Sequence, residues 1–193
     1  MIYFNIKWMN PAANKDSGKM KRFVIWYNLI PNLIWSIINL APIVSFCFIA
    51  MPSRLVIIFL AISVLACAIP NSFFEKLQVS KTIGFYKKIG IEIVQKYTQN
   101  GEVINRMIRK KFPHYKIIQG RVSLKKQLKQ TYFFEKFHVV MLVFFVLTTV
   151  YALKERHSAW ALIFTVNNLL YNVYPILLQQ YIRLRLNNSI KRG

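Results

Sequence analysis

Apolar and charged residues in this chain are sorted into long separate blocks, and four of the apolar blocks are each long enough to cross a bilayer. A helix needs ~20 apolar residues to traverse a hydrocarbon core of about 30 Å. Only helices and closed barrels satisfy their backbone hydrogen bonds there, so runs of this length are read as transmembrane helices. The blocks cover residues 23–50, 55–74, 137–153 and 159–181, with Pro31 and Pro42 in the first, Pro70 near the end of the second and Pro175 in the fourth. The prolines of the first block predict a kinked or broken helix, which membrane neighbours tolerate by satisfying the freed carbonyls.

The segments between the blocks set the orientation. The N-terminal tail carries Lys7, Lys15, Lys19, Lys21 and Arg22, and the first turn only Arg54. The connector from Asn71 to Lys136 holds fifteen basic residues; the second turn has Lys154 and Arg156, and the C-terminus Arg183, Arg185, Lys191 and Arg192. Positive loops remain inside. The sequence therefore predicts an all-α, multi-pass protein of a bacterial cytoplasmic (inner) membrane, forming one domain over residues 1–193. Both termini and an interfacial connector of about 75–136 are expected on the cytoplasmic side.

Six acidic residues face 27 Lys and Arg, and 55% of the chain is hydrophobic. A soluble nucleic-acid binder spreads its charge over folded elements with short apolar stripes, so this blockwise segregation excludes nucleic acid as the expected partner and points to membrane lipids. Cys47 and Cys67 both lie in apolar runs, without CxxC or CxxH spacing, and predict neither a disulfide nor a metal site. The first long apolar stretch is too long for a signal-peptide core and is expected to remain as an anchor.

Within the connector, Ile83, Tyr86, Ile89, Ile93 and Tyr97 recur at near-helical spacing with Lys87, Lys88 and Lys96 between them. That pattern predicts a helix lying in the interface with lysines at anionic headgroups. Asn100-Gly101 predicts a turn, residues 102–111 a second short helix ending before Pro113, and residues 123–137 a basic lead-in to the third crossing.

Polar groups at membrane depth cost free energy unless paired, so each is a functional candidate. Glu135 and His138 stand three residues apart, on one face of a helix. A carboxylate beside an imidazole raises its basicity, as a general base for an alcohol requires; the plainer alternative is a helix-start Glu and an interfacial His bonded to headgroups. Asn168, Asn172 and Gln179 follow at spacings of four and seven and form a stripe able to face that pair, whereas Asn167 reads as an interhelical hydrogen bonder. Arg183 and Arg185 serve equally as stop-transfer anchors or as ligands for phosphate and carboxylate groups. A second Glu-x-x-His, a Gly-rich phosphate loop, a Gly-x-Ser-x-Gly elbow and an HExxH are all absent, and no His is followed five residues on by Asp.

Three stretches carry a family resemblance: Ile69-Pro70-Asn71-Ser72-Phe73-Phe74; Thr131-x3-Glu135-x2-His138; and Asn172-x6-Gln179-x-Tyr181-x-Arg183-x-Arg185, with Pro175 inside it. In these the chain resembles the glycosyl-4,4'-diaponeurosporenoate acyltransferases, small bacterial membrane proteins of carotenoid biosynthesis. The likeness spans about Ala68 to Gly193. A Trp-Lys-rich element of the family is replaced here by Phe85-Tyr86-Lys87-Lys88-Ile89-Gly90, and the N-terminal crossing is additional. The resemblance implies an O-acyltransferase moving a fatty acyl group onto a sugar hydroxyl of a glycosylated carotenoid or related glycolipid. It touches Glu135, His138, Asn172, Gln179, Tyr181, Arg183 and Arg185. The chemistry of these side chains then assigns proton abstraction to His138, orientation of its ring to Glu135, and substrate binding to Asn168, Asn172, Gln179, Tyr181, Arg183 and Arg185. No cofactor is expected, and the donor is an acyl-CoA or acyl carrier protein. The alternative is a non-catalytic membrane protein whose basic loop binds anionic lipid or protein partners.

Overall fold

A computed structural model describes residues 11–98, 101–113 and 120–192. Lys7 of the basic tail and Asn100 of the expected turn lie outside the described residues. Every regular element among the described residues is helical: α1 (Pro11–Ala50), α2 (Ser53–Val64), α3 (Asn71–Lys76), α4 (Ile83–Lys88), α5 (Ile91–Tyr97), α6 (Glu102–Lys111), α7 (Gly120–Lys154), α8 (Ser158–Asn168) and α9 (Tyr174–Arg192). A 3-10 turn (Leu65–Ala68) follows α2, and a π-helical segment (Leu169–Val173) joins α8 to α9.

Among the described residues, three helical stretches are long and apolar enough to cross a membrane: Gly18–Ala50, Ser123–Lys154 and Ser158–Lys191. Pro31 and Pro42 do not break the first. The expected second crossing differs from its sequence reading over 55–74. Its continuous helix is the shorter apolar stretch Ser53–Ala68, because Pro70 drives Ile69 into extended backbone (ψ 124°) and the chain restarts as α3. Its α and 3-10 turns rise about 26 Å, somewhat short of the hydrocarbon core. The third crossing extends in the other direction, since the basic lead-in is the first half of α7 rather than part of the connector.

The described chain divides into two compact units. In one, the first part of α1 pairs with α6: Ile104 and Ile108 are buried against Met20, Phe23, Val24 and Tyr27, with Phe112 closing the cluster. Glu102 in the first turn of α6 and Arg109, Lys110 and Lys111 in its last turn suit the helix dipole, and Pro113 follows the helix end.

The other unit comprises residues 35–94 and 118–193. Its core joins the end of α1 to α7 and α8 through Ile43, Phe46, Phe144, Phe145, Ala152, Ala161 and Phe164. The hairpin between α7 and α8 is tight: Arg156 takes a left-handed conformation (φ 62°), and the His157 amide donates back to the Ala152 carbonyl at 2.7 Å. Small residues at 152 and 161 let the helices approach, the usual device where lipid supplies no hydrophobic drive. Large apolar side chains such as Phe48 (86% exposed) and Leu162 (67%) point outward, as lipid-facing positions require.

The interfacial helix expected over residues 83–97 is two helices. Gly90 adopts φ +79° and turns the chain between α4 and α5, a conformation glycine takes without Cβ strain. The apolar stripe therefore does not lie on one face. Tyr86 and Ile91 are buried against Leu178 and Tyr181 of α9, while Ile93 and Tyr97 are exposed.

Candidate active site at the junction of α7 and α9

The site is built where the basic half of α7 meets the apolar half. Glu135 on α7 is 1% exposed, and a carboxylate that deep requires donors on both oxygens. Its Oε1 accepts from Gln180 Nε2 at 2.9 Å and its Oε2 from Arg183 Nη2, both donors on α9. Arg183 is also 1% exposed, and its guanidinium lies over the Tyr132 ring, 4.1 Å from Cζ to the centroid. The Tyr132 hydroxyl donates to Glu75 of α3 at 2.6 Å. A buried ion pair is thus stacked on an aromatic face and tied to α3, the helix that starts after Pro70.

Gln180 is the hinge of this network. Its Oε1 accepts from the Val79 amide at 3.1 Å and from the Tyr86 hydroxyl at 3.0 Å, which orients the amide so that Nε2 faces Glu135. Burial raises the Tyr86 phenol above its ordinary pKa, opposed by the Ser80 backbone and other neighbours, so it remains a neutral donor. Beside it, Tyr181 donates to Glu92 at 2.8 Å, and Lys87 pairs with the same carboxylate at 3.1 Å. The Tyr181 hydrogen bond first, and Lys87 next, hold Glu92 below the usual carboxylate range. Arg185 is exposed, with its guanidinium 5.6 Å from the Tyr181 ring centroid.

One turn deeper on α7, His138 stands beside Asn172 and the Tyr171 backbone, its ring 5.9 Å from that of Tyr171 in an edge-on arrangement. Asn172 is fully buried and donates to Asn168 Oδ1 at 2.8 Å, and the Asn168 amide reaches the Leu142 carbonyl at 3.4 Å. Tyr171 itself exchanges a hydrogen bond with Ser36 at 2.9 Å. Tyr171 and Asn172 lie within the π segment, and Pro175 offers no N–H to the carbonyl four residues back, at Tyr171. Irregular helix of this kind occurs often at functional sites.

The structure therefore brings together Glu135 with Arg183, and His138 with Asn172 and Asn168. It does not pair Glu135 with His138 in the way the three-residue spacing suggested: both carboxylate oxygens are engaged by α9, and the imidazole meets Asn172 instead. Gln179, the expected end of the amide stripe, is half-buried, and its neighbour Gln180 occupies the network. Asn167 behaves as an interhelical bonder, donating to the Asn39 carbonyl at 3.2 Å. Tyr132 and Glu75 had no periodic signal to single them out, and Tyr86 stood out only as one position of the connector's apolar stripe.

Among the described residues, four buried polar atoms in this region find no partner at good hydrogen-bond geometry: His138 Nδ1, Asn172 Oδ1, and Arg183 Nε and Nη1. Such atoms are rare in folded proteins and each calls for a physical reason. Among the described residues, no cluster of His, Cys, Asp and Glu is arranged to hold a metal ion.

A family model for glycosyl-4,4'-diaponeurosporenoate acyltransferase matches residues 70–192. No curated protein and no solved structure matches the chain. The match begins at the proline that ends the second apolar segment and takes in Glu75, Tyr86, Glu135, His138, Asn172, Gln180 and Arg183, leaving α1 and α2 outside it. The side chains that converge on the ion pair and the imidazole thus lie within the matched region. With well over half its length matched, the chain belongs to the glycosyl-4,4'-diaponeurosporenoate acyltransferase family, acyltransferases of carotenoid biosynthesis.

Proposed function

We propose that the protein is a membrane O-acyltransferase that moves a fatty acyl group from a thioester donor onto a hydroxyl of a glycosylated carotenoid or related glycolipid. The observation that carries this reading is the set of unpaired buried atoms on His138, Asn172 and Arg183. They offer a base, an acceptor and a cationic donor close to the level where α7 changes from basic to apolar. A lipid-linked acceptor reaches such a site from the bilayer, and a water-soluble acyl-CoA or acyl carrier protein reaches it from the cytoplasm.

In this mechanism His138 takes the proton of the acceptor hydroxyl as the oxygen attacks the thioester carbonyl. The carbon–sulfur bond of the tetrahedral intermediate then breaks, and the departing thiolate recovers the proton from the imidazolium. Asn172 positions the imidazole and Asn168 fixes the Asn172 amide. Arg183, held in orientation by Glu135 and Tyr132, carries the cationic charge that stabilises the developing oxyanion or an anionic group of the donor. Arg185, exposed and lying over the ring of the buried Tyr181, receives the donor's headgroup. Glu135 acts through Arg183 and not through His138.

Four crossings, with both termini and the connector on the cytoplasmic side, complete the reading. The charge distribution supports it, and α2 crosses despite its length by local thinning of the bilayer.

The test is the lipid profile of bacteria that make the glycosylated acceptor and express either the wild type or His138→Ala. The acylated product is expected with the wild type and absent with the variant at equal protein level. Acylated product at the wild-type amount in His138→Ala cells removes His138 from the mechanism.

A further inference from the structure

We propose that α6 and the adjoining turn of α1 form a binding site for the phosphate headgroup of an anionic phospholipid. This site lies in the unit that contains the start of α1, a helix the family match does not include, and it does not rest on the acyltransferase reading.

The first observation is where α6 is fastened. Ile104 and Ile108 pack on Met20, Phe23, Val24 and Tyr27, and Lys111 lies over the Phe23 ring, 4.5 Å from its centroid. Phe23 itself stacks on Tyr27 at 4.2 Å and meets Phe112 edge-on at 5.6 Å. Phe23 marks a boundary on α1. Lys19 and Arg22 before it are exposed, whereas Ile25, Trp26, Leu29 and Ile30 after it are large apolar side chains left exposed. That change from exposed cations to exposed hydrocarbon, with a tryptophan at the border, is the signature of headgroup depth.

The second observation is the face that α6 turns outward. With Ile104, Asn105 and Ile108 buried, the exposed positions include Arg106, Arg109, Lys110 and Lys111. Glu102, the only acidic residue of α6, pairs with Arg106 at 3.0 Å in an exposed i,i+4 contact, worth little in water. The packing therefore holds a row of cations at the level where lipid phosphates lie, beside an apolar belt suited to acyl chains. An acidic protein partner would be served by the cations and would have no use for the belt, so the combination favours lipid.

The experiment uses the full-length protein extracted in detergent and offered dioleoyl phosphatidylglycerol or dioleoyl phosphatidylcholine, with bound lipids counted by native mass spectrometry. The wild type is expected to retain phosphatidylglycerol in preference. R106Q/R109Q/K110Q/K111Q is expected to lower that preference about tenfold or more, since each basic residue near a charged surface contributes measurably. K81Q/K88Q/K125Q/K129Q, with the same loss of charge at exposed positions elsewhere, is expected to match the wild type. Should the fourfold α6 variant fail to fold, R109Q/K110Q carries the test with a smaller loss in the same direction. Unchanged preference in the α6 variants, or equal loss in the control, overturns the proposal. So does α6-dependent capture of an acyl carrier protein with lipid retention unaltered.

Discussion

Removing one member of the Glu135–Arg183 pair should cost far more than removing both. Arg183→Met keeps an apolar stem against the Tyr132 ring but leaves a carboxylate that is 1% exposed with only the neutral Gln180 amide as donor. Glu135→Gln leaves the converse, a guanidinium 1% exposed with Nε and Nη1 already unpartnered and no anion on Nη2. An uncompensated buried charge of either sign costs about 3–5 kcal/mol, whereas replacing a buried pair by neutral groups of similar volume is often close to neutral. The double variant Glu135→Gln/Arg183→Met is therefore expected within about 2 kcal/mol of the wild type. The corresponding coupling energy is about 4 kcal/mol or more, above the ~0.5–3 kcal/mol usual for residues in contact. The assay is reversible unfolding in mixed micelles titrated with a denaturing detergent, followed by tryptophan fluorescence for the four proteins of the cycle. A double variant as unstable as the sum of the singles would refute the coupling and the central place given to this pair.

Gln180→Leu removes the acceptor of the Val79 amide and one donor to Glu135, and should destabilise by about 2–4 kcal/mol in the same assay; a loss below ~0.5 kcal/mol would show that the amide is not the hinge. Glu92 is held below its ordinary value of 4.5, chiefly by the Tyr181 hydroxyl. Its contribution is therefore present above that pH and lost as pH falls through the lowered folded value. Thermal midpoints of the wild type and Glu92→Gln should differ near neutrality and converge in acid; a constant difference at all pH values counts against the sign. Reporters placed before Met1 and after Gly193 should both be cytoplasmic, and opposite locations would mean that α2 does not cross.

Membrane class and the places of the three long helices were legible in the residues because hydrocarbon length acts locally, whereas the break at Pro70 and the unbroken course of α1 past Pro31 and Pro42 were not. Glu135, His138, Asn172 and Arg183 were legible for a similar reason: polar groups inside apolar runs stand out whatever the fold. Their partners were not. Helical spacing placed Glu135 beside His138, but a side chain three residues away competes with any neighbour a second helix supplies, and Arg183 offered the carboxylate an opposite charge. The identity of the amide in the network depended on what packs against α9, since the Val79 amide and the Tyr86 hydroxyl hold Gln180 and not Gln179, and nothing periodic announces such partners. The stripe of the connector failed likewise at Gly90, where one left-handed residue turns α5 away from the axis of α4. Block hydrophobicity by itself thus determined that the chain lives in a membrane and which polar groups are costly there. Tertiary packing alone decided who compensates whom, because pairing energy depends on distances across helices that sequence separations of 45 and 48 residues leave open.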